Sequence, residues 1–330
     1  MIMKKYRETI AIILAVILFL LLCFSAAGLL IPYRSEYGVN WGSFKEEERN
    51  SMDVLFFGSS MSYCNVVPAV VYEQCGLSSY VVAGPEQTIP ISYYYVKEAC
   101  KTQQPQAIVL ELTGMFFEKY QNYTLANISC MPYGLNRLGA TFNAAERERI
   151  PGLLFPILDY HDRWYKMGID NAKKNLFPEK DVFAGYTFLS DANAQKDIAE
   201  RNCAPDDAYA YALEYLGKIC SFCTDKGIEL ILYISPAYSR IPDDKLAQLV
   251  SDLESLEYSA FIDFNSDAQW DAIGADSEND WYDSMHYNCR GAEKFSRVIS
   301  DLLVSEGISP AANSSSADWQ GRYEHFTSMR

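Results

Sequence analysis

A long uncharged run near the amino terminus constrains this chain more than any other feature. The run extends from Thr9 to Tyr33, is dominated by Ile, Leu, Ala, Val and Phe, and follows Lys4, Lys5 and Arg7. As a helix rising about 1.5 Å per residue it would span roughly 37 Å, enough to cross a hydrocarbon core of about 30 Å. Basic residues on its short side predict a cytoplasmic amino terminus and an extracytoplasmic remainder.

A cleaved signal peptide is the alternative interpretation of this run. The small residues from Ser25 to Gly28 resemble a processing site. The length of the run favours an uncleaved anchor, and both interpretations place the folded part across the membrane. The sequence has no second apolar run of about 18 residues. We therefore expect a single-span protein, with a cytoplasmic stub and transmembrane anchor over residues 1–33.

The charge balance and the cysteines limit the function further. The 330 residues carry a net charge of −15, which lacks the basic footprint needed to bind nucleic acid or anionic lipid. Cys23 lies in the apolar run and the other cysteines form an even set, compatible with disulfides in an oxidising compartment. Cys220 and Cys223 have C-x-x-C spacing, but no second pair accompanies them. We expect ordinary buried or paired cysteines and no metal site.

Short apolar runs closed by turn residues predict five buried strands. They are Asp53–Gly58, Tyr80–Ala83, Ala107–Leu112, Ile228–Ile234 and Ala260–Phe264. They alternate with helical patterns near residues 66–75, 91–101, 208–225, 243–256 and 291–304. Because parallel neighbours need crossover connections, this alternation predicts an α/β fold whose parallel sheet is covered on both faces, a flavodoxin-like three-layer sandwich.

Composition divides the chain after the anchor into three parts. Residues 34–51 include the charged run K-E-E-E-R and are typical of a solvated linker or short surface helix. Residues 52–307 hold the α/β domain. Within it, an aromatic-rich region at about 116–204 is too long for a simple connection, and we expect a mostly helical insertion that caps the sheet and shapes a substrate groove. The polar residues 308–330 are expected to form a flexible tail.

Hydroxyl, carboxylate and imidazole groups occupy positions where a parallel sheet forms its sites. The first strand ends in Gly58, Ser59 and Ser60, and a serine on a tight strand-to-helix turn projects over the sheet edge. Asp283 and His286 precede the last helix, so the carboxylate can orient an imidazole that deprotonates a serine. The serines alone are more typical of a helix cap. Only the combination favours catalysis.

G-S-S after the first strand and D-S-M-H before the last helix resemble the first and last blocks of the SGNH (GDSL-like) hydrolases. The resemblance covers about Asp53 to Leu303. More narrowly, the chain is similar to the Firmicute branch related to the teichoic-acid D-alanine transfer protein and the alginate-type O-acetylation proteins. Those relatives share an amino-terminal membrane anchor, a G-S-S and a Tyr-rich helix, which here reads S-Y-Y-Y-V from Ser92 to Val96.

The resemblance implies a role for each matching residue. Ser60 would be the nucleophile, His286 the base and Asp283 its orienter, with Ser59 as the other candidate nucleophile. The family's oxyanion hole combines the nucleophile's N–H, a glycine N–H after the second strand and an asparagine of a third block.

Gly84 matches the glycine of that oxyanion hole, whereas Met115 stands where the asparagine should be. Losing one such donor typically costs about 10² to 10³ in rate. Gln87, in the loop after the second strand, is our hypothesis for a substitute, and an ordinary loop glutamine is the alternative.

The resemblance implies a cofactor-free serine esterase or O-acyltransferase that acts on a cell-envelope polysaccharide or teichoic acid, with acetyl as the expected group. A membrane-bound O-acyltransferase would deliver the acyl group. Two alternatives remain. A catalytically decayed glycan-binding or scaffold protein would explain the missing asparagine, and a lipase-like enzyme would need a further exposed apolar stretch. His161 is a candidate groove residue or part of an amphipathic helix face, and His325 lies in the predicted tail.

Overall fold

A five-stranded parallel sheet forms the centre of the protein in the computed structural model, which describes residues 2–165, 169–311 and 315–330. Neighbouring strands pair in parallel in the order β2-β1-β3-β4-β5. The strands are β1 (Val54–Gly58), β2 (Ser79–Ala83), β3 (Ala107–Glu111), β4 (Glu229–Ile234) and β5 (Ala260–Asp263). The predicted α/β fold with a parallel sheet is confirmed, and this strand order is consistent with a flavodoxin-like fold.

Helices connect and cover these strands. They are α1 (Ile2–Leu30), α2 (Trp41–Lys45), α3 (Ser60–Tyr63), α4 (Pro68–Cys75), α5 (Ile89–Ala99), α6 (Thr124–Cys130), α7 (Leu135–Asn143), α8 (Ile150–Leu154), α9 (Ile157–Tyr160), α10 (Ile169–Leu176), α11 (Asp206–Lys226), α12 (Asp243–Leu253), α13 (Asp267–Ile273), α14 (Cys289–Ser305) and α15 (Ser316–Met329). Further short elements are 3₁₀ turns at Thr113–Phe116, Arg147–Arg149 and His161–Tyr165, and a strand pair of Ala199–Glu200 with Ser239–Arg240.

Both faces of the sheet are buried, as the alternating residues of β1 illustrate. Leu55 and Phe57 belong to the core on the side of α5 and α11, whereas Val54 and Phe56 belong to the core on the side of α4 and α14. All four side chains are fully buried. A parallel strand covered on both faces leaves no room for polar groups along its length, so polar chemistry is confined to the strand ends.

The first helix, α1, is long and apolar enough to cross a membrane. Its segment Tyr6–Leu30 has 25 residues and a mean hydropathy of 3.1. At its end, the Asn175 side-chain amide donates to the carbonyl of Gly28 at 3.1 Å, and the Asn171 amide donates to that of Ile31 at 3.1 Å. Carbonyls in the last turn of a helix lack intrahelical partners. These bonds from α10 therefore fix the end of α1 against the folded domain.

The segment predicted as a solvated linker or short surface helix contains a short helix, and its aromatic side chains pack into the core. Residues Trp41–Lys45 form α2, and the side chains of Trp41 and Phe44 are buried. Asn40 caps this helix by accepting a hydrogen bond from the backbone N–H of Gly42 at 3.0 Å. Two aromatic residues three positions apart give the short helix an apolar face, which the neighbouring charged run obscures in the composition.

The tail predicted to be flexible contains an ordered helix, α15, which packs on α4. Trp319 and Phe326 are buried, and the Trp319 ring stacks on Tyr72 with the centroids 5.4 Å apart. Arg322, also buried, pairs with Glu47. Trp319, Arg322 and Phe326 recur at helical spacing, so one face of α15 is buried although the segment is polar on average.

The insertion is helical only in its first part. Helices α6 to α10 end at Leu176, and residues 177–205 are mostly non-helical. There, the carbonyl of Ala184 accepts a hydrogen bond from the N–H of Val81 in the edge strand β2 at 2.9 Å. Ala184 lies in a turn with a φ of +51°, and this turn satisfies one of the otherwise unpaired backbone groups of the edge strand. The prediction of a mostly helical insertion is therefore wrong for its second part.

All nine cysteines carry free thiols. Cys220 and Cys223 lie buried on α11 in the apolar core, where burial raises the pKa of Cys220 to about 11. The described residues contain no group of three or more His, Cys, Asp and Glu side chains that could hold a metal ion. The C-x-x-C pair is therefore part of the packing between α11 and the sheet.

Candidate active site

The turn after β1 is built around a glycine. Gly58 has a φ of +143°, and a Cβ atom there would lie 2.5 Å from Ser62 Oγ and 2.7 Å from Glu111 Cβ. Only glycine tolerates both the backbone conformation and the contact. The chain can therefore turn sharply from β1 into α3, which places Ser60 at the first position of that helix.

The two neighbouring serines have different environments. Ser59 is 1% exposed, and its hydroxyl donates to Glu111 Oε2 at 3.3 Å and accepts from the N–H of Met61 at 3.3 Å. It is therefore the N-cap of α3. Ser60 is partly exposed and directs its hydroxyl to a different partner.

That partner is His286, 226 positions further along the chain. Ser60 Oγ lies 2.8 Å from His286 Nε2, and His286 Nδ1 lies 2.9 Å from Asp283 Oδ2 and 3.0 Å from Oδ1. A carboxylate only accepts hydrogen bonds, so Nδ1 donates to Asp283 and Nε2 is left to accept from Ser60. The structure thus brings the three predicted residues into one continuous hydrogen-bonded relay.

The electrostatics of Asp283 suit the role of an orienting carboxylate. Partial burial raises the pKa of Asp283, but the hydrogen bond and charge of His286 and the backbone N–H groups of Met285 and His286 outweigh it and hold the pKa below its usual value. Those N–H groups donate to Asp283 Oδ1 at 2.7 and 2.9 Å. The carboxylate therefore remains ionised over the neutral pH range and fixes the imidazole tautomer.

Asn65 connects the serine turn to the histidine loop, and sequence reasoning missed it. It is fully buried, its Oδ1 accepts from the N–H of Tyr287 at 2.9 Å, and its Nδ2 donates to Ser235 Oγ at 2.9 Å. The loop is held further by the rings of Tyr287 and Trp281, with centroids 4.1 Å apart. A single asparagine after a short helix gave no signal in the sequence.

Gly84 lies at the carboxyl end of β2, next to the end of β1 that carries the serine turn. Gly84 follows Ala83, which pairs with Gly58 across β1 and β2. A Cβ atom at Gly84 would lie 2.5 Å from Asn127 Oδ1, so the insertion helix α6 leaves room only for glycine. The N–H of Ser60 has no intrahelical acceptor because it opens α3. The roles of these two N–H groups as oxyanion donors stay predictions.

Gln87 donates a hydrogen bond to a neighbouring side chain. Its side chain is 1% exposed and its Nε2 donates to Ser92 Oγ in α5 at 2.9 Å. One amide hydrogen of Gln87 is thus directed to the first turn of α5, and its role as an oxyanion donor stays a prediction. Met115 is fully buried in the core, so its side chain offers no polar group to the site.

A buried carboxyl group lies beneath the serine turn. Glu111, at the end of β3, accepts from the N–H of Thr113 at 2.8 Å as well as from the hydroxyls of Thr113 and Ser59. Burial raises the pKa of Glu111 and outweighs these bonds and the charge of Arg201. Arg201 itself donates to the carbonyl of Ser239 at 3.1 Å. Sequence reasoning missed both residues because neither belongs to a motif.

The other two histidines, the candidate groove residue His161 and His325 of the predicted tail, lie outside the relay. His161 is exposed, and its Nδ1 lies 3.0 Å from the carbonyl of Leu158. His325, on α15, has its ring centroid 5.2 Å from that of Phe183. Neither contacts Ser60, Asp283 or His286 among the hydrogen bonds of the described residues.

Cavity size does not identify this site. A cavity of about 910 Å³ lies beside α14 and is lined by charged side chains such as Asp280, Arg290 and Arg297, without any residue of the relay. Binding cavities for small molecules are usually lined mainly by apolar side chains. Hydrogen-bonded geometry is therefore the better guide to the chemistry.

In comparisons with known proteins, no family model matches the chain, and no curated protein matches it in sequence.

Proposed function

We propose that this protein is a membrane-anchored serine esterase or O-acyltransferase of the SGNH type. The observation that carries the proposal is the relay from Ser60 Oγ through His286 to Asp283. A serine hydroxyl is a weak nucleophile until an adjacent base takes its proton, and a carboxylate on the far side of the imidazole stabilises the resulting cation. The resemblance of both sequence blocks to the SGNH hydrolases supports the same assignment.

The reaction proceeds in two acyl transfers. Ser60 Oγ attacks the ester carbonyl carbon while His286 Nε2 takes the hydroxyl proton, and the tetrahedral intermediate then collapses as His286 protonates the leaving alcohol oxygen. In the second transfer, water or a sugar hydroxyl attacks the acyl-enzyme, His286 accepts its proton, and Ser60 regains a proton as it leaves. Asp283 stabilises the imidazolium in both steps.

Stabilisation of the oxyanion is the weak part of the proposed site. The backbone N–H groups of Ser60 and Gly84 are the proposed donors. A third donor is missing at Met115, and loss of one donor typically lowers the rate about 10² to 10³-fold. We therefore expect slow turnover of simple esters, with faster transfer when the full substrate is bound.

Side chains beside α3 support a polyhydroxylated substrate. The Tyr123 hydroxyl donates to Glu36 Oε2 at 2.8 Å, and the pKa of Tyr63 in α3 is raised chiefly by burial, with smaller effects from Cys64, Tyr123 and Glu36. Carboxylates accept hydrogen bonds from hydroxyl groups, and aromatic rings offer flat apolar surfaces. Together with the resemblance, this favours an O-acetylated cell-envelope polysaccharide or teichoic acid.

The proposed location follows from α1 and the residues that precede it. With Lys4, Lys5 and Arg7 in the cytoplasm, α1 crosses the membrane and holds the domain on the outer side. In that topology, a membrane-bound O-acyltransferase is the proposed partner that delivers the acyl group.

Hydrolysis of p-nitrophenyl acetate by the full chain in detergent tests the proposal. We expect Ser60→Ala to lower kcat/KM by about 10⁴-fold or more, and Ser59→Ala to retain most activity because Ser59 caps α3. Circular dichroism checks that both variants fold. A folded wild-type protein that shows no turnover and no covalent acyl-enzyme would reject the enzyme and favour a glycan-binding scaffold.

A further inference from the structure

A cavity of about 170 Å³ lies where the end of α1 meets the insertion. Its lining includes Ile31 and Tyr33 after α1, Tyr133 and Arg137 of the insertion, and Lys174 of α10. The volume is several times the roughly 30 Å³ that one water molecule takes up in the liquid. None of its lining residues belongs to the candidate active site.

The lining of this cavity is positively charged, in contrast to the chain as a whole. Lys45, Arg137 and Lys174 contribute to it, and no aspartate or glutamate does. None of these three cations takes part in a salt bridge within the part of the chain that the structure describes. The net charge of −15, which argues against a footprint for anionic lipid, does not describe this local surface.

Arg137 is the buried member of this group. It is 3% exposed, its Nη1 donates to the carbonyl of Met131 at 3.1 Å, and its guanidinium carbon lies 4.1 Å from the ring centroid of Tyr133. Burial lowers the pKa of Arg137. A buried cation without a counter-charge is costly, and a bound anion would supply that charge.

Contacts of α1 place the cavity at the membrane boundary in the proposed topology. Phe24 precedes the end of the apolar span by about 9 Å of helix, and its ring lies 6.1 Å from that of Tyr133 and 6.0 Å from that of Phe155. Tyr133 also lines the cavity. Ile31 and Tyr33, which directly follow the apolar span, also line the cavity, so it lies at the end of the span, where lipid headgroups lie in the proposed topology.

The helices around the cavity expose apolar side chains. Leu135 and Phe142 on α7 are 84% and 58% exposed, and Ile169 on α10 is 75% exposed. Exposed apolar surface of this extent usually contacts lipid or a partner. Helices α9 and α10 pack directly against α1. In the proposed topology, the lipid acyl chains around α1 are therefore the apolar surface nearest to these exposed side chains.

We propose that this cavity binds the phosphate headgroup of an anionic membrane lipid, whose acyl chains lie along α1 and the exposed apolar side chains of the insertion. Lys45, Arg137 and Lys174 hold the phosphate. The inference rests on α1 crossing the membrane, as in the proposed function. A lipid bound here would fix the height and tilt of the domain above the bilayer, and with them the distance of Ser60 from the membrane surface.

Native mass spectrometry of the full chain in a neutral detergent tests this site. Phosphatidylglycerol, phosphatidylcholine and inorganic phosphate are each titrated into the wild type and into Lys45→Gln/Lys174→Gln. Both lysines are exposed, so the double variant should fold. Removing two lysine charges near a lipid headgroup should raise the dissociation constant roughly 30-fold. We expect phosphatidylglycerol to bind the double variant more weakly than the wild type by that factor. We also expect its binding to the wild type to weaken at high salt.

Lys97→Gln is the matched control. Lys97 Nζ lies 5.1 Å from the ring centroid of Tyr93, much as Lys174 Nζ lies 4.4 Å from that of Tyr33. Retained binding in this control supports the proposal. Equal binding of phosphatidylcholine, equal binding of inorganic phosphate, or unchanged phosphatidylglycerol binding by the double variant would overturn it. Covalent labelling of Ser60, measured on the same samples, reports separately on the proposed enzyme.

Discussion

Glu47 and Arg322 form a buried ion pair, with Arg322 Nη2 2.7 Å from Glu47 Oε1 and both side chains nearly inaccessible. Glu47 follows α2 and Arg322 lies on α15, so the pair ties together the two segments that their composition predicts to be solvated. The segment before β1 and the segment after α14 thus pack against each other.

Breaking this pair should cost considerable stability. Arg322→Met leaves Glu47 buried with only Lys180, 3.8 Å away, as a cation, and removing one partner of a buried pair typically costs about 3 to 5 kcal/mol. We expect a corresponding fall in the free energy of unfolding, measured by denaturant titration. Glu47→Leu combined with Arg322→Met should recover much of it. A loss below about 1 kcal/mol in Arg322→Met would contradict the burial seen here.

Glu111 should make stability depend on pH in a defined direction. Its pKa in the folded state lies above the ordinary value of 4.5 because it is buried. The stabilisation of the folded state by the protonated Glu111 carboxyl is therefore fully present below that value, and it is lost as pH rises through the folded pKa. Glu111→Gln should be more stable than the wild type at pH 7, with the difference closing below about pH 4.5. Thermal melts of the two proteins across this range measure the difference, and equal stability at pH 7 would contradict it.

Asn65 should act on turnover through the position of the histidine loop. Asn65→Ala removes the acceptor for the N–H of Tyr287 and strands a buried donor, which costs about 1 to 3 kcal/mol. We expect kcat to fall by more than KM changes, because the distance between Ser60 and His286 is no longer fixed. Ser235→Ala keeps the bond to Tyr287 and should retain most activity. Equal kcat values for the two variants would remove Asn65 from this role.

Asp283 should be needed for the imidazole tautomer. Asp283→Asn offers His286 an amide in place of a carboxylate, and the same change in a serine protease triad lowers kcat by about 10⁴-fold. We expect a loss of that order in p-nitrophenyl acetate turnover with little change in KM. Glu278→Gln, an exposed carboxylate on the same connection, should leave turnover unchanged. Activity within tenfold of the wild type would show that Asp283 is not the orienting group.

The strands and the relay could be predicted because their signals are local. The run from Val54 to Gly58 is wholly apolar and closed by glycine, and the predicted strand Asp53–Gly58 differs from the observed one by a single residue. Ser60, Asp283 and His286 follow a strand or precede a helix, and the topology of a parallel sheet then brings strand ends to one edge. Their common hydrogen-bonded relay is a consequence of that topology.

The features that escaped prediction depend on tertiary contacts. The burial of Arg322 depends on Glu47, which is far away in the sequence. The average polarity of each segment therefore does not predict that part of it is buried. The turn at Ala184 bonds to the otherwise unpaired edge of β2. Asn65 looks like an ordinary residue after a helix until Tyr287 is seen to donate to it.

Covalent labelling with a fluorophosphonate probe tests the central claim most directly, because the probe reacts only with a serine that a neighbouring base activates. The full chain is labelled in detergent, digested, and the modified peptide is sequenced by mass spectrometry. We expect the phosphonyl group on Ser60 in the wild type and none in Ser60→Ala or His286→Gln. Labelling that persists in Ser60→Ala, or that maps to Ser59, would contradict the assignment.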